Sequence, residues 1–155
     1  MDHDDKIKVL ASCELFKDLE ATDIEKIAAL CQAKTCEPGE YLFRQGDFGE
    51  ELYFIAEGRV ILERSVSMDA RHGSVVIGIF GRRRVIGCWS GLLAEPHNLM
   101  SSAHCEQPTK LLVLRASELR EMMVSNREFG FKVLENLCFL LRNRIKEAYG
   151  ALEKI

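Results

Sequence analysis

Residues 36–64, CEPGEYLFRQGDFGEELYFIAEGRVILER, decide the fold. Apolar residues recur here with a period of two. Tyr41 and Phe43 fall on one face, with Leu42 and Arg44 on the other, and Leu52, Phe54 and Ala56 alternate with Tyr53, Ile55 and Glu57. That alternation is the mark of a strand with one face toward a core. Turn residues punctuate it: Pro38-Gly39, Gly46-Asp47, and Gly58 leading into Val60, Ile61 and Leu62. Short strands joined by glycine corners predict an antiparallel sandwich, roll or barrel rather than a parallel sheet.

The same period continues downstream. Val75–Phe80, Val85–Cys88 and Lys110–Arg115 read as further strands, with a polar loop over 67–73 and a turn over Gly81–Arg84. Helical spacing takes over on both sides. Ile7, Leu10 and Ala11 share a face, and Phe16 and Leu19 continue it through a break. Ile24, Ile27, Ala28 and Cys31 form a stripe behind Thr22, whose partner Glu25 completes a capping-box pattern. Ser117 is expected to cap a helix through Met123, and Asn126 or a neighbour to begin a last, long one. The expected division is a helical segment over 1–32, a β-roll over 33–116 and C-terminal helices over 117–155, all one domain. This is a mainly β fold with flanking helices.

At 155 residues the chain suits one core, and 47% hydrophobic with 29% charged residues is ordinary for a globular protein. A formal charge of −3 gives no global positive field to gather nucleic acid. No apolar run approaches membrane-spanning length, and the opening MDHDDKIKVL is acidic rather than signal-like. A cytoplasmic protein with no membrane contact is expected. Cys13, Cys31, Cys36, Cys88, Cys105 and Cys138 are scattered without a CxxC pair, so buried or indifferent thiols are expected rather than a metal site. No nucleophile-base constellation or phosphate loop suggests an enzyme.

The joint spacing of Gly46-Asp47, Tyr53, Ile55 and Gly58, followed by IGCWSGLLAEPHNLMSSA over 86–103, resembles the cyclic nucleotide-binding domain of catabolite activator proteins and of kinase and channel regulatory subunits. The resemblance runs from about Leu15 to Ile145. It implies a double-stranded, jelly-roll-like β-roll with N-terminal helices and a long C-terminal helix. It also implies a ligand cassette over 86–103, with Gly87, Cys88, Trp89, Ser90, His97 and Asn98 at the binding positions. Gly87 and Pro96 match the family pattern. In the family a carboxylate grips the ribose hydroxyl and an arginine the cyclic phosphate; here those slots hold Cys88 and His97.

The substitutions matter physically. Arginine offers a permanent charge and a planar fork for phosphate oxygens. Histidine, with an ordinary pKa of about 6.5, is mostly neutral near pH 7 and has no fork. Cysteine is a poor acceptor for a hydroxyl. Losing two charge-assisted hydrogen bonds, each worth roughly 1.5–3 kcal/mol, weakens binding roughly a hundredfold or more. Cyclic AMP and cyclic GMP are therefore conceivable but disfavoured ligands. Backbone NH groups near Trp89 could still hold an anion, so a weak or atypical nucleotide binder is one alternative. A second is one of Arg82, Arg83 and Arg84 folding in to replace the lost arginine, against a solvated turn. A third is a haem or thiol redox sensor using Cys88, His97, Met100, His104 or Cys105, although His104 and Cys105 should point to opposite faces. Trp89 either stacks on a ligand or fills the emptied space.

Phe131, Leu134, Cys138, Leu141, Ile145, Ala148 and Leu152 recur at alternating three- and four-residue spacing, a heptad seam. Val133, Leu137 and Leu140 form a second strip beside it. One strip can pack on the roll while the other meets a second copy, so a homodimer through the C-terminal helix is expected. A purely structural dimerisation module is a further alternative. The chain stops at Ile155, where the family's transcription factors continue into a helix-turn-helix, so direct nucleic-acid binding is not expected and a separate effector protein can carry the output.

Overall fold

Strand alternation in this chain is resolved into two cores by a computed structural model that describes residues 1–153, with side chains through Gly150. The strands are β1 (Gln32–Cys36), β2 (Tyr41–Phe43), β3 (Glu51–Glu57), β4 (Val60–Met68), β5 (Arg71–Phe80), β6 (Val85–Gly87), β7 (Ser102–Cys105) and β8 (Thr109–Arg115). They form two four-stranded sheets, ordered β1-β8-β3-β6 and β2-β7-β4-β5, with every pairing antiparallel. The helices are α1 (His3–Ala11), α2 (Ala21–Leu30), α3 (Ala116–Ser125) and α4 (Arg127–Glu153), with 3₁₀ turns at Glu14–Phe16 and Trp89–Leu93. This is the β-roll with flanking helices that the period change implies.

β3 explains why there are two cores. Leu52, Tyr53, Phe54, Ile55 and Ala56 are all buried, because both faces of the strand are covered. Leu52 and Phe54 enter the core beneath the helices, whereas Tyr53 and Ile55 enter the core between the sheets. Each fully buried large apolar side chain contributes roughly 1.5–3 kcal/mol of transfer free energy. α4 closes the helical side with Val133, Leu137 and Leu140, and Asn136 there donates to the carbonyls of Leu15 and Lys17 at 3.0 and 2.9 Å.

Several local expectations are corrected. α2 starts at Ala21 with Glu20 as its flanking residue and no side-chain cap, so Thr22 and Glu25 form no capping box. Likewise Ser117 lies inside α3 and does not cap it; Ala116 is already helical and fixed by its amide to Glu50 O at 2.9 Å. Asn126 does cap α4, its Oδ1 accepting from the Phe129 amide at 3.2 Å. The segment 67–73 is not a loop but mostly the far end of the β4–β5 hairpin, where Ser67 pairs with His72 and Met68 with Arg71. Its residues are polar because that hairpin end projects into solvent. A register shift between Tyr41 and Phe43 brings Leu42 and Phe43 into the same core, against simple alternation.

Gly87 ends β6 at φ +132°, and a Cβ there would overlap the Glu51 carbonyl oxygen and lie 3.1 Å from Leu52 Cα. Gly87→Ala is expected to cost about 3 kcal/mol or more in urea denaturation, because both the backbone conformation and the β3 approach are lost.

Cys13 and Cys31 are buried, and removal from water pushes each thiol from an ordinary 9.0 up to about 12. The unfolded chain therefore releases these protons first, so the thiols stabilise the fold below pH 9.0 and that contribution is lost as pH rises toward about 12. Urea titrations above that lower value should show stability falling by up to roughly 1.4 kcal/mol per thiol per pH unit, with a shallower fall in Cys13→Ala/Cys31→Ala.

Candidate functional site

Gly87 is also where the candidate cassette begins. β6 hands the chain to the five-residue 3₁₀ helix Trp89–Leu93, which ends on Ala94 at φ +59°, and the chain returns through β7. A helix this short does not accumulate a macrodipole, so its amides carry no anion argument. Between this segment, the β4–β5 hairpin and the C-terminal half of α4 lies a cavity of about 520 Å³. Its walls include Phe43, Leu62, Phe80, Ile86, Trp89 and Leu99, with Arg144, Glu147 and Ala148 supplied by α4. Size and apolar lining are those of a small-molecule pocket.

Of the expected binding positions, Gly87, Cys88, Trp89, Ser90 and His97 line this cavity. Asn98 does not; it bridges Phe48 through the backbone. Cys88 is 2% exposed, and its thiol faces the His97 carbonyl at 3.8 Å. Gly49 donates to the same carbonyl at 3.1 Å, and any Cβ on Gly49 would lie 2.7 Å from Cys88 Cβ. The thiol thus fastens one end of the cassette to the other. His97 is exposed, with Nδ1 2.9 Å from the Asn98 carbonyl, so that nitrogen bears the proton. Glu95 is exposed as well, its amide bonded to Ser90 O at 3.0 Å.

A guanidinium does enter the cavity wall, and it comes from α4. Arg144 Nη2 donates to Glu14 Oε1 at 2.8 Å and to the Val85 carbonyl. Its planar head lies over Phe80 at 4.7 Å and over Trp89 at 5.1 Å. Burial lowers the Arg144 pKa and Glu14 opposes that shift, so the group stays cationic. Of the turn arginines, Arg84 turns to Glu14 and is not among the cavity-lining residues: Nε lies 3.2 Å from Glu14 Oε2 and the head sits over Phe80 at 4.8 Å. Arg82 and Arg83 are exposed. Arg83 takes φ +73°, so the turn keeps a glycine-like conformation with arginine in it.

Glu14 is the hub of this wall, accepting additionally from the Val85 amide at 3.2 Å. Neither Glu14 nor Arg144 stands out in the sequence. A signal for Arg144 did exist, seven residues after Leu137 and four after Leu140, on the strip that packs against the roll. Trp89 is half-buried and takes the Arg144 guanidinium on its face, which is more specific than filling space.

Of the residues weighed as metal or haem ligands, Cys88, His97 and Met100 line the cavity, whereas His104 and Cys105 lie apart from it. His104 Nε2 meets Glu63 Oε1 at 2.9 Å beside Tyr41, while Cys105 is buried between the sheets. Among the described residues no three His, Cys, Asp or Glu side chains form a metal-holding group. No described helix is long and apolar enough to cross a membrane.

Comparison with known proteins agrees with this geometry. The mouse (Mus musculus) cyclic nucleotide-gated channel alpha-4 is 37% identical over 121 residues, covering 76% of this chain and 20% of the channel. The mouse voltage-gated delayed rectifier potassium channel KCNH8 is 30% identical over 146 residues, covering 92% of this chain and 12% of that protein. The chain thus spans a fifth or less of these relatives. Among solved structures, a cyclic nucleotide-binding domain from Methylobacillus flagellatus superposes with TM-score 0.81 at 23% identity, covering 99% of this chain and 84% of that one. The Thermus thermophilus catabolite activator protein gives 0.67 at 28% identity, covering 90% and 62%. The sequence profile described as the cyclic nucleotide-binding domain matches residues 33–126, and the chain belongs to that family.

Proposed function

We propose that this chain is a regulatory, ligand-sensing module whose pocket has given up ordinary cyclic nucleotide affinity, and that it works as a cytoplasmic homodimer signalling to a separate effector. The observation that carries the first part is the placement of Cys88. Its side chain is committed to Gly49 and the His97 carbonyl, so the position that would hold a ribose acceptor faces protein. His97 offers an imidazole at the rim, without the planar fork of a guanidinium. The retained cavity of about 520 Å³ favours a sensing role over a structural module that has lost its pocket. Binding rather than catalysis is the role these residues suit.

The second part is supported by α4. Phe131, Leu141 and Ile145 are 67%, 36% and 55% exposed, Cys138 and Ala148 are exposed, and Leu134 is half-buried. The parallel strip Val133, Leu137 and Leu140 is buried against the roll. An apolar heptad face left in solvent is self-complementary across a two-fold axis. The side chain of Leu152, the last seam position, lies outside the described residues.

Calorimetry with cyclic AMP and cyclic GMP addresses the pocket. Wild type is expected to bind neither at ordinary family strength, whereas Cys88→Glu/His97→Arg should gain roughly tenfold or more, each restored charge-assisted bond being worth roughly 1.5–3 kcal/mol. A folded double variant with no gain would mean that Trp89 and Arg144 obstruct the pocket or that the slots are misassigned.

For the interface, Leu141→Glu/Ile145→Glu should convert a dimer to monomers in light scattering, because like charges then meet across the axis. Circular dichroism should remain that of the folded roll. A wild-type chain that is monomeric at high concentration sinks the homodimer.

A further inference from the structure

The outer strands of the two sheets are β1 and β6, and β2 and β5. Three of these edges are blunted. β6 is three residues long, and side chains cap its main chain: Glu14 accepts from the Val85 amide and Arg144 donates to the Val85 carbonyl. β2 is also three residues long, and β1 is five and carries Lys34. Short, capped or charged edges resist further pairing. β5 has none of these protections. It runs for ten residues, Arg71–Phe80, and pairs with β4 alone. Among the described residues nothing outside β4 bonds to its main chain. Its stretch GSVVIGIF over 73–80 holds no charge and no proline, and Val75, Val76, Ile77 and Ile79 are exposed. Its one irregularity is a bulge: Leu62 pairs with Gly78 and Glu63 with Val76, so Ile77 has no partner on β4. A bulge bends an edge without covering it. Such a strand is a template for one more.

Charge selects the occupant. Exposed arginines bracket the uncharged stretch, Arg71 before it and Arg82 and Arg83 after it. A second copy of β5 fits this edge poorly. Antiparallel pairing about Ile77 sets Val75 against Ile79, but it also brings Arg71 of each copy to the turn that carries Arg82 and Arg83 of the other. It further requires two strands bent at the same bulge to match each other. A flexible segment of another protein meets neither obstacle. Resting on the reading that the output passes to a separate effector, we propose that β5 is the edge on which that effector docks, by adding an extended segment as a further strand. The segment has about six alternating apolar residues, the usual strand length, with Asp or Glu at both ends. Main-chain hydrogen bonds pair it to β5, its apolar side chains cover the exposed valines and isoleucines, and its end carboxylates meet the arginines. Ile77 and Phe80 also line the cavity, so the docked strand and the pocket share β5 as a common wall.

The probe is a capped, fluorophore-labelled peptide of alternating valine and threonine with glutamates at both ends, titrated into the intact chain. Two controls accompany it, one with lysines at both ends and one with a proline in the middle. Fluorescence anisotropy should show the glutamate-ended peptide binding roughly tenfold tighter than either control, because proline removes a ladder donor and lysine meets like charge. Amide hydrogen exchange should slow over residues 71–80 when it binds. Arg71→Glu/Arg82→Glu/Arg83→Glu should reverse the preference, so that the lysine-ended peptide binds better. If that variant does not fold, about 1 M salt on the wild type should erase the preference instead. No binding at about 1 mM peptide, equal binding of the proline control, a charge preference untouched by both substitution and salt, or slowed exchange confined to other residues overturns the inference. A dimer that persists in Leu141→Glu/Ile145→Glu with residues 71–80 protected makes a second copy the occupant and overturns it likewise. Failure here leaves the pocket and the α4 dimer standing, since calorimetry and light scattering read those separately.

Discussion

Burial of β3 on both faces is the constraint on which the architecture rests. A strand covered on one side needs one core; β3, with Leu52 through Ala56 all buried, needs two. Leu52 and Phe54 demand the helices, and Tyr53 and Ile55 demand the second sheet. β8 and β6 flank it by hydrogen bonding, so the cassette that follows β6 is registered against the most buried strand in the chain. The base of the pocket is therefore fixed to the core.

Where α4 crosses the cavity, electrostatics adds to the apolar burial of Leu137 and Leu140. Glu14, from a 3₁₀ turn near the N-terminus, collects the Val85 amide, Arg84 and Arg144. One carboxylate thereby joins the N-terminal segment, the strand entering the cassette and the last helix. Such a partly buried pair is worth less than its Coulomb energy suggests, because desolvation of each ion offsets the attraction. Its value lies in geometry. It sets where α4 crosses the cavity.

Much of this was legible in the chain. Alternation in 36–64 and glycine corners announce an antiparallel roll because side-chain direction in a strand depends only on neighbours in sequence. The strips of α4 were legible for the same reason, and Val133, Leu137 and Leu140 are indeed the buried ones. The caps at Thr22 and Ser117 misled because capping residues also occur harmlessly inside helices, and tertiary contacts such as Ala116 to Glu50 set the true start. The polar 67–73 segment misled because an exposed hairpin end has no apolar side to display.

What the sequence determined by itself is the set of local periods, the sharp corners, and the identities Cys88 and His97 at two pocket positions. Tertiary structure alone decided what those identities mean: the Cys88 thiol turned toward the His97 carbonyl, and the pocket's guanidinium arriving from Arg144, 130 residues from its partner Glu14. Periodicity reports which face of an element is apolar, but it carries no information about which distant element will supply a charge to a cavity. That is settled only when two sheets and a helix close on one another, since the energy of a buried ion depends on everything that surrounds it.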